Sequence, residues 1–333
     1  MQVMVVGAGA MGRHHVRVLN ELQEVKRVVV VEPSEKARHA VEERGFEKTF
    51  FYGDLDEALS SEKPDCALVV VPTRLHAEIG VKLLGAGIPC LIEKPLASDV
   101  KECRKLISAT KKNNVLLSVG HLERFNPAVQ KLLDHLEMLG DVVYGSAHRY
   151  GIPSDRVLDH TFIDQAVHDA DLFSYLTGKR PTHVCAVHRN VSKGKTHDLG
   201  AALFEYDGFV ASVESNRVAP IKTRKMVLVG TQGIAELDFT DQVVTITRLD
   251  EIPKKYHEYK TFNELVSRAG QGNELKLFVQ KEEPLKLELQ SFISHCSNNT
   301  APVVSGEDGL YAVAAAQAAI ESAEKGCRVE VKV

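Results

Sequence analysis

Lys94 ends the string Leu91-Ile92-Glu93-Lys94 and precedes Pro95, directly beyond a short apolar run. A lysine at the carboxyl edge of a buried strand offers a fixed positive charge to an oxygen that gathers negative charge. Further on, Asp164-Gln165-Ala166-Val167-His168 sets an acid and a histidine four residues apart, on one face of a helix. A histidine with an adjacent carboxylate is a general base suited to neutral pH. The third group is Gly7-Ala8-Gly9-Ala10-Met11-Gly12, a G-x-G-x-x-G between an apolar run and an amphipathic stretch. There Gly7 allows a tight turn, Gly9 lets a pyrophosphate reach the backbone, and Gly12 lets helix and strand pack closely. Ala10 and Met11 open the helix whose free N–H groups meet the phosphates. Glu32 follows the run 28–31, where an acid meets ribose hydroxyls. Its charge favours NAD over a 2′-phosphorylated dinucleotide, while Lys36 and Arg38 nearby leave NADP open.

These groups need a scaffold that brings loop ends together. Short valine-rich runs at 3–6, 28–31, 67–71, 90–92 and 115–119 alternate with amphipathic stretches at 11–22, 35–44, 55–60, 75–86 and 99–113. That rhythm predicts a parallel sheet covered on both faces, a doubly wound Rossmann domain over 1–122. Beyond it the pattern changes. Helices are expected at 127–139 and 165–176, then strands at 182–190, 201–206, 209–215, 225–230, 234–239 and 243–249. Asp207-Gly208 and Gln232-Gly233 sit between consecutive runs as hairpin turns do. Helices at 285–298 and 310–324 and a strand at 328–333 close the chain, and 254–283 takes no assignment. The expected class is α/β, with an α+β second domain over 123–333 built on a mainly antiparallel sheet.

The chain has 333 residues, 44% hydrophobic and 26% charged, which suits two soluble globular domains. A formal net charge of −4 gives no basic footprint, so no nucleic-acid partner is expected. Cys66, Cys90, Cys103, Cys185, Cys296 and Cys327 form no C-x-x-C pair, so no metal site is expected from them. The N-terminus lacks a basic leader, and the apolar runs are far shorter than a membrane span. A cytoplasmic chain with reduced thiols and no membrane partner is expected.

In order, the glycine string, Pro72-Thr73-x-x-His76, Glu93-Lys94-Pro95, Glu123-Arg124-Phe125-Asn126-Pro127 and Asp164-x-x-x-His168-x-x-Asp171 resemble the glucose–fructose oxidoreductase/inositol dehydrogenase family, Gfo/Idh/MocA. The resemblance covers essentially the whole chain. It implies a nicotinamide-dependent oxidoreductase that moves a hydride between nicotinamide C4 and an alcohol carbon. It implies further that Lys94 hydrogen-bonds the reacting oxygen and that His168 exchanges the hydroxyl proton, with Asp164 orienting or relaying. Thr73, His76, Glu93 and Lys94 join the glycine loop and Glu32 as cofactor contacts. Arg124 and Asn126 join Asp164 and His168 on the substrate side. His14 and His15 are taken as positional, His121 and Glu123 as holding the domain junction, and a homo-oligomer through the C-terminal sheet is implied.

A narrower resemblance rests on Gly120 to Pro127 and on Ile152-Pro153-Ser154-Asp155-Arg156 leading to Gln165-Ala166-Val167-His168. Both are similar to the subgroup that includes UDP-N-acetylglucosamine 3-dehydrogenases, which implies a nucleotide-sugar substrate. This chain departs from the subgroup at Gln165, where Leu is expected, and at His160, where Gly or Val is expected. A diphosphate needs cations, and Arg149, Arg156, Arg189 and Arg217 are candidates. The rival readings are an inositol or free-sugar dehydrogenase and a non-catalytic NAD sensor; a sensor would need neither Lys94 nor His168.

Overall fold

The computed structural model describes residues 1–153, 160–192, 196–248, 260–263 and 272–333. The chain separates into two compact units, one of 1–125, 282–317 and 332–333, the other of 126–281 and 318–331.

In the first unit, strands β1 (Gln2–Val6), β2 (Arg27–Val31), β3 (Thr49–Tyr52), β4 (Cys66–Val69), β5 (Cys90–Glu93) and β6 (Leu117–Gly120) run parallel. Their order is β3-β2-β1-β4-β5-β6. Helices α1 (Ala10–Glu21), α2 (Glu35–Glu42), α3 (Leu55–Ser61), α4 (His76–Gly85) and α5 (Val100–Asn113) connect them. Side chains alternate across a strand, so Val3 and Val5 enter one apolar cluster while Met4 and Val6 enter another. Both faces are therefore core, which is why the strands read as continuous apolar runs. Helices α2, α3 and α5 start on Ser34, Asp54 and Asp99, whose side chains accept first-turn N–H groups. Helix α1 starts on Gly9 and has no side-chain cap.

The single cut expected between 122 and 123 is corrected by the return of 282–317 to this unit. There α8 (Pro284–Asn298; α6 and α7 are in the second unit) puts Leu285, Leu289, Phe292 and Ile293 into the cluster with Val5, Val16 and Leu19. Burial of such side chains is worth roughly 1.5–3 kcal/mol each, and a linear pattern does not say which sheet will receive them.

The second unit carries α6 (Pro127–Leu133) and α7 (Val167–Thr177). Among the described residues its strands are β7 (Val142–Tyr150), β8 (Pro181–Arg189), β9 (Leu199–Tyr206), β10 (Phe209–Asn216), β11 (Thr223–Gly230), β12 (Gly233–Asp238), β13 (Val243–Arg248), β14 (Asn273–Leu277) and β15 (Val329–Glu330). The order is β14-β13-β12-β11-β7-β10-β9-β8-β15, antiparallel except where β7 runs parallel to β10. The helix α9 (Gly306–Lys325) passes from the first unit into the second. Sequence reading missed β7, because Gly145-Ser146 and His148-Arg149 interrupt its apolar pattern. The helix expected at 127–139 ends at Leu133, and 136–139 is a separate 3-10 turn. The helix expected from 165 begins as a π-turn, Phe162–Ala166, before α7.

Helix α7 lies on the sheet because glycines admit aromatic rings. A side chain at Gly145 would come within 2.4 Å of the Phe173 ring, and one at Gly200 within 2.5 Å of Phe162. A buried ion pair locks the packing: Arg149 Nε on β7 donates to both oxygens of Asp169 on α7, at 2.9 and 3.1 Å. Removing one member strands a buried charge, which typically costs about 3–5 kcal/mol. Arg149→Leu should therefore lower unfolding stability by about 3–5 kcal/mol in urea titration. Arg328→Ala, at the exposed pair with Glu205, should leave the midpoint nearly unchanged.

Candidate active site

At the carboxyl ends of β1, β4 and β5 the first unit opens a cavity of about 880 Å³, a volume suited to a cofactor. Strands β1 and β4 are where the strand order reverses, the usual ligand crevice of such sheets. Gly7, Gly9, Ala10 and Met11 line it after β1, Glu32 after β2, Pro72 and Leu75 after β4, and Glu93 and Lys94 at the end of β5. Thr73 lies in the turn between Pro72 and Leu75.

The three glycines differ in what requires them. Gly7 has φ +102°, and a Cβ there would lie 2.3 Å from Val70 O; at Gly12 a Cβ would lie 2.1 Å from Gly7 O. The fold itself demands both. At Gly9 a Cβ would meet no atom within 4 Å. The bare backbone at Gly9 thus leaves room for a ligand on the cavity side, and the uncapped α1 N-terminus supplies N–H groups to an anion there. The residues present fit a dinucleotide pyrophosphate.

Glu32 accepts the Ala8 N–H through Oε2 at 2.8 Å and the Ser34 N–H through Oε1 at 2.9 Å. Each oxygen keeps a further lone pair for a ribose hydroxyl. Arg38 donates to the Glu32 and Pro33 carbonyls at 2.6 and 3.3 Å, so its guanidinium is engaged with the loop backbone. A carboxylate facing the ribose opposes a 2′-phosphate, in keeping with NAD.

Below Lys94 the chain buries an acid–base cluster. His15 Nε2 and Glu93 Oε1 lie 2.7 Å apart, and Glu93 Oε2 accepts the Lys94 N–H at 3.1 Å. Burial works to raise the Glu93 carboxyl, but the His15 hydrogen bond and the charges of His15 and Lys94 outweigh it and hold Glu93 below the ordinary range. Glu288, on α8, is also fully buried, and neither of its oxygens has a hydrogen-bond partner among the described residues. Burial first, and the charge of Glu93 second, push Glu288 well above the ordinary carboxyl range. Sequence reading took His15 as positional and passed over Glu288, since nothing in a helical apolar pattern marks an acid as buried.

In the second unit Asp164 sits in the π-turn, and His168, buried, in the first turn of α7. π-Turns recur at functional sites, where the widened turn re-aims side chains. Arg217, itself buried, reaches Asp164 Oδ2 and the His197 carbonyl, each at 3.4 Å. Gln165 Oε1 is buried without a hydrogen-bond partner among the described residues. Beside this segment lie His160, His188 and His197. Burial, and then the neighbouring His188, His197 and Arg217, push His160 down to about 4.

Several of the expected contact residues have partners within the protein. His76 is buried with its ring nitrogens 2.9 Å from the carbonyls of Pro95 and Val71, so it braces the Lys94-Pro95 turn. Arg124 is buried against Asp308 and the Val303 carbonyl, a tie within the first unit. Asn126 caps α6 by accepting the Ala128 N–H and donates to the Phe239 carbonyl. Arg149 is held by Asp169, which removes it from the diphosphate candidates. Arg156 lies outside the described residues.

Glu288 yields a signed pH effect. Its folded-state pKa is raised, so the folded chain keeps a proton that the unfolded chain releases above about pH 4.3. Stability contributed at this position therefore falls as pH rises from that value toward the folded pKa. Glu288→Gln carries no such linkage, so its melting temperature relative to the parent should increase from pH 5 to pH 8. A difference independent of pH in thermal melts would show that Glu288 is ionised in the folded chain.

Residues 1–121 match the Gfo/Idh/MocA family model described as an oxidoreductase family with an NAD-binding Rossmann fold, and 139–236 match its C-terminal domain. The chain is 29% identical over 247 residues to a UDP-N-acetylglucosamine 3-dehydrogenase of Acidithiobacillus ferrooxidans, covering 74% of this chain and 76% of that one. It is 27% identical over 346 residues to a scyllo-inositol 2-dehydrogenase (NAD(+)) of Bacillus subtilis, covering 99% and 96%. A solved structure of the Acidithiobacillus enzyme superposes with a TM-score of 0.84 at 25% identity over 98% of each chain. A levoglucosan dehydrogenase solved with NADH and levoglucosan has the same fold, with a TM-score of 0.84 at 19% identity over the full length of both chains, 100% of each. With its cavity, glycine loop and both domain matches in agreement, the chain belongs to the Gfo/Idh/MocA oxidoreductase family and is an NAD-dependent dehydrogenase.

Proposed function

We propose that this dehydrogenase oxidises the C3 hydroxyl of a UDP-linked N-acetylhexosamine. The observation that carries the reading is the likeness to the Acidithiobacillus UDP-N-acetylglucosamine 3-dehydrogenase along 98% of both chains. The Gly120-to-Pro127 motif and the Gln165-to-Asp171 segment support it from the sequence. NAD supplies the hydride acceptor at its nicotinamide C4. Lys94 holds the substrate oxygen and stabilises the charge that grows there as its proton leaves. His168 takes that proton, and Asp164, oriented by Arg217, keeps the histidine in place. Arg156 and Arg189 remain the cations for the diphosphate.

A second reading is a free-polyol dehydrogenase. It is favoured by the scyllo-inositol 2-dehydrogenase, whose sequence match runs through 99% of this chain against 74% for the UDP-sugar enzyme. On either reading the enzyme works in the reducing cytoplasm as a homo-oligomer. Free cysteines support the compartment. Val187, Leu203, Ile234 and Leu275 stand exposed on strands of the nine-stranded sheet, which supports pairing through that sheet.

Lys94→Ala should lower kcat/KM by about 10²–10³, the usual worth of one such electrostatic donor, while NAD affinity stays near that of the parent. His168→Asn should lower the plateau by roughly 10²–10⁴ and flatten the acidic limb of kcat/KM against pH. Steady-state kinetics and NAD titration calorimetry measure both; an unchanged pH profile in His168→Asn removes it as the base.

The substrate is tested by following NADH formation with UDP-N-acetylglucosamine, N-acetylglucosamine and myo-inositol under identical conditions. Binding energy from the remote nucleotide can be used to position the sugar, so removing UDP should depress kcat as well as raise KM. Efficient oxidation of myo-inositol with none of the UDP-sugar selects the polyol reading.

A further inference from the structure

Three histidines from separate segments of the second unit converge. His160 stands ahead of the π-turn, His188 near the end of β8, and His197 just before β9. One nitrogen from each ring lies within 4.8 Å of the other two. His160 Nε2 is 3.0 Å from His188 Nδ1, and the His188 and His197 rings stack with centroids 3.6 Å apart. All three residues are half-buried, and among the described residues no carboxylate is hydrogen-bonded to any of the rings. Apart from the Phe162 N–H on His160 Nδ1, the rings have only one another as polar partners among the described residues, so they lose hydration for little return. A shared ligand would satisfy them together.

We propose that His160, His188 and His197 bind one divalent transition-metal ion of the zinc type, with water completing a four-coordinate shell. Imidazole nitrogen suits such ions, and three neutral histidines plus water form a known donor set for Zn²⁺. Zn–N bonds of about 2.0–2.1 Å place tetrahedral nitrogens about 3.4 Å apart; His160 Nε2 and His188 Nδ1 stand at 3.0 Å, and all three nitrogens lie within 4.8 Å of one another. The rings of His188 and His197 stack nearly parallel, so loading requires one of them to turn; His197 lies ahead of β9, outside its strand ladder. His160 Nδ1 now accepts the Phe162 N–H at 3.1 Å, which puts its proton on Nε2, facing His188. Loading moves that site to the other tautomer: Nε2 releases its proton to water, Nδ1 takes one up, and the Phe162 bond is given up.

The charged neighbours are Arg217, Arg189 and Glu324. Arg217 is paired with Asp164, which offsets its repulsion of a cation. The ion would tie the β8–β9 connection to the segment that leads into Asp164, whose N–H donates to the His160 carbonyl at 3.0 Å. Its role is therefore to hold the Asp164 turn in place, not to touch the reacting atoms.

The test uses full-length, tag-free protein stripped with EDTA and titrated with ZnCl₂ by calorimetry. One Zn²⁺ per chain is expected, with a higher melting temperature, and Co²⁺ loading should give the intense visible bands of a tetrahedral site. His188→Gln and His197→Gln should each weaken Zn²⁺ binding by at least about 100-fold, since even outer-shell changes cost 10–100-fold. X-ray absorption of the Zn²⁺-loaded parent, which needs no variant to fold, should count three imidazoles. Any other imidazole count, no saturable binding in the parent, or equal binding in the His188→Gln/His197→Gln double variant overturns the site.

Discussion

The first unit depends on how it accommodates a charged carboxylate in its core. Glu93 ends β5, and its side chain turns inward to His15 while its second oxygen receives the Lys94 N–H. This one side chain therefore links the first helix after the glycine loop to the backbone of the lysine at the cavity wall. Placing Glu288 nearby creates a conflict, because two like charges buried close together are costly. The pair resolves it by shifting in opposite directions. The Glu93 carboxyl, with a histidine and a lysine at hand, is held below the ordinary range, and Glu288, desolvated and facing Glu93, is pushed well above it.

That arrangement also explains the course of the chain. Helix α8 must return to the first unit to bring Glu288 there, and it does so on an apolar face shared with β1 and α1. Arg17 on α1 also pairs at the surface with Glu283, the residue just ahead of α8. His76, at the start of α4, then braces the Pro95 carbonyl, so the backbone is held at Lys94 N–H on one side and at Pro95 on the other. Rigid support of this kind is what a group needs if it is to stabilise charge without moving.

The second unit uses a different device. Its helix α7 is clamped to the sheet by Arg149 and Asp169, and the π-turn ahead of it is tied back by Arg217. Both arginines were candidates for a diphosphate from sequence alone. Burial decides otherwise for Arg149, since a guanidinium with its carboxylate inside the core cannot also serve a ligand in solvent. For Arg217 the same burial makes it a support for Asp164.

The sequence by itself determined the parallel sheet, the glycine turn and the lysine at the strand end, because these depend on local rules. Continuous valine runs, a helix start after G-x-G-x-x-G, and an acid directly beyond the second strand are each legible within a few residues of sequence. It could not tell which acids would be buried or which arginines would be consumed by internal partners. His15 and Glu93 are 78 residues apart and Arg124 and Asp308 are 184 apart, so their pairing exists only once the sheet is closed. The same holds for β7, whose polar pattern looks like a loop until β10 and β11 flank it. Tertiary structure decided those roles because burial sets the energy of a charged or polar side chain, and burial is a property of the packed chain, not of any segment.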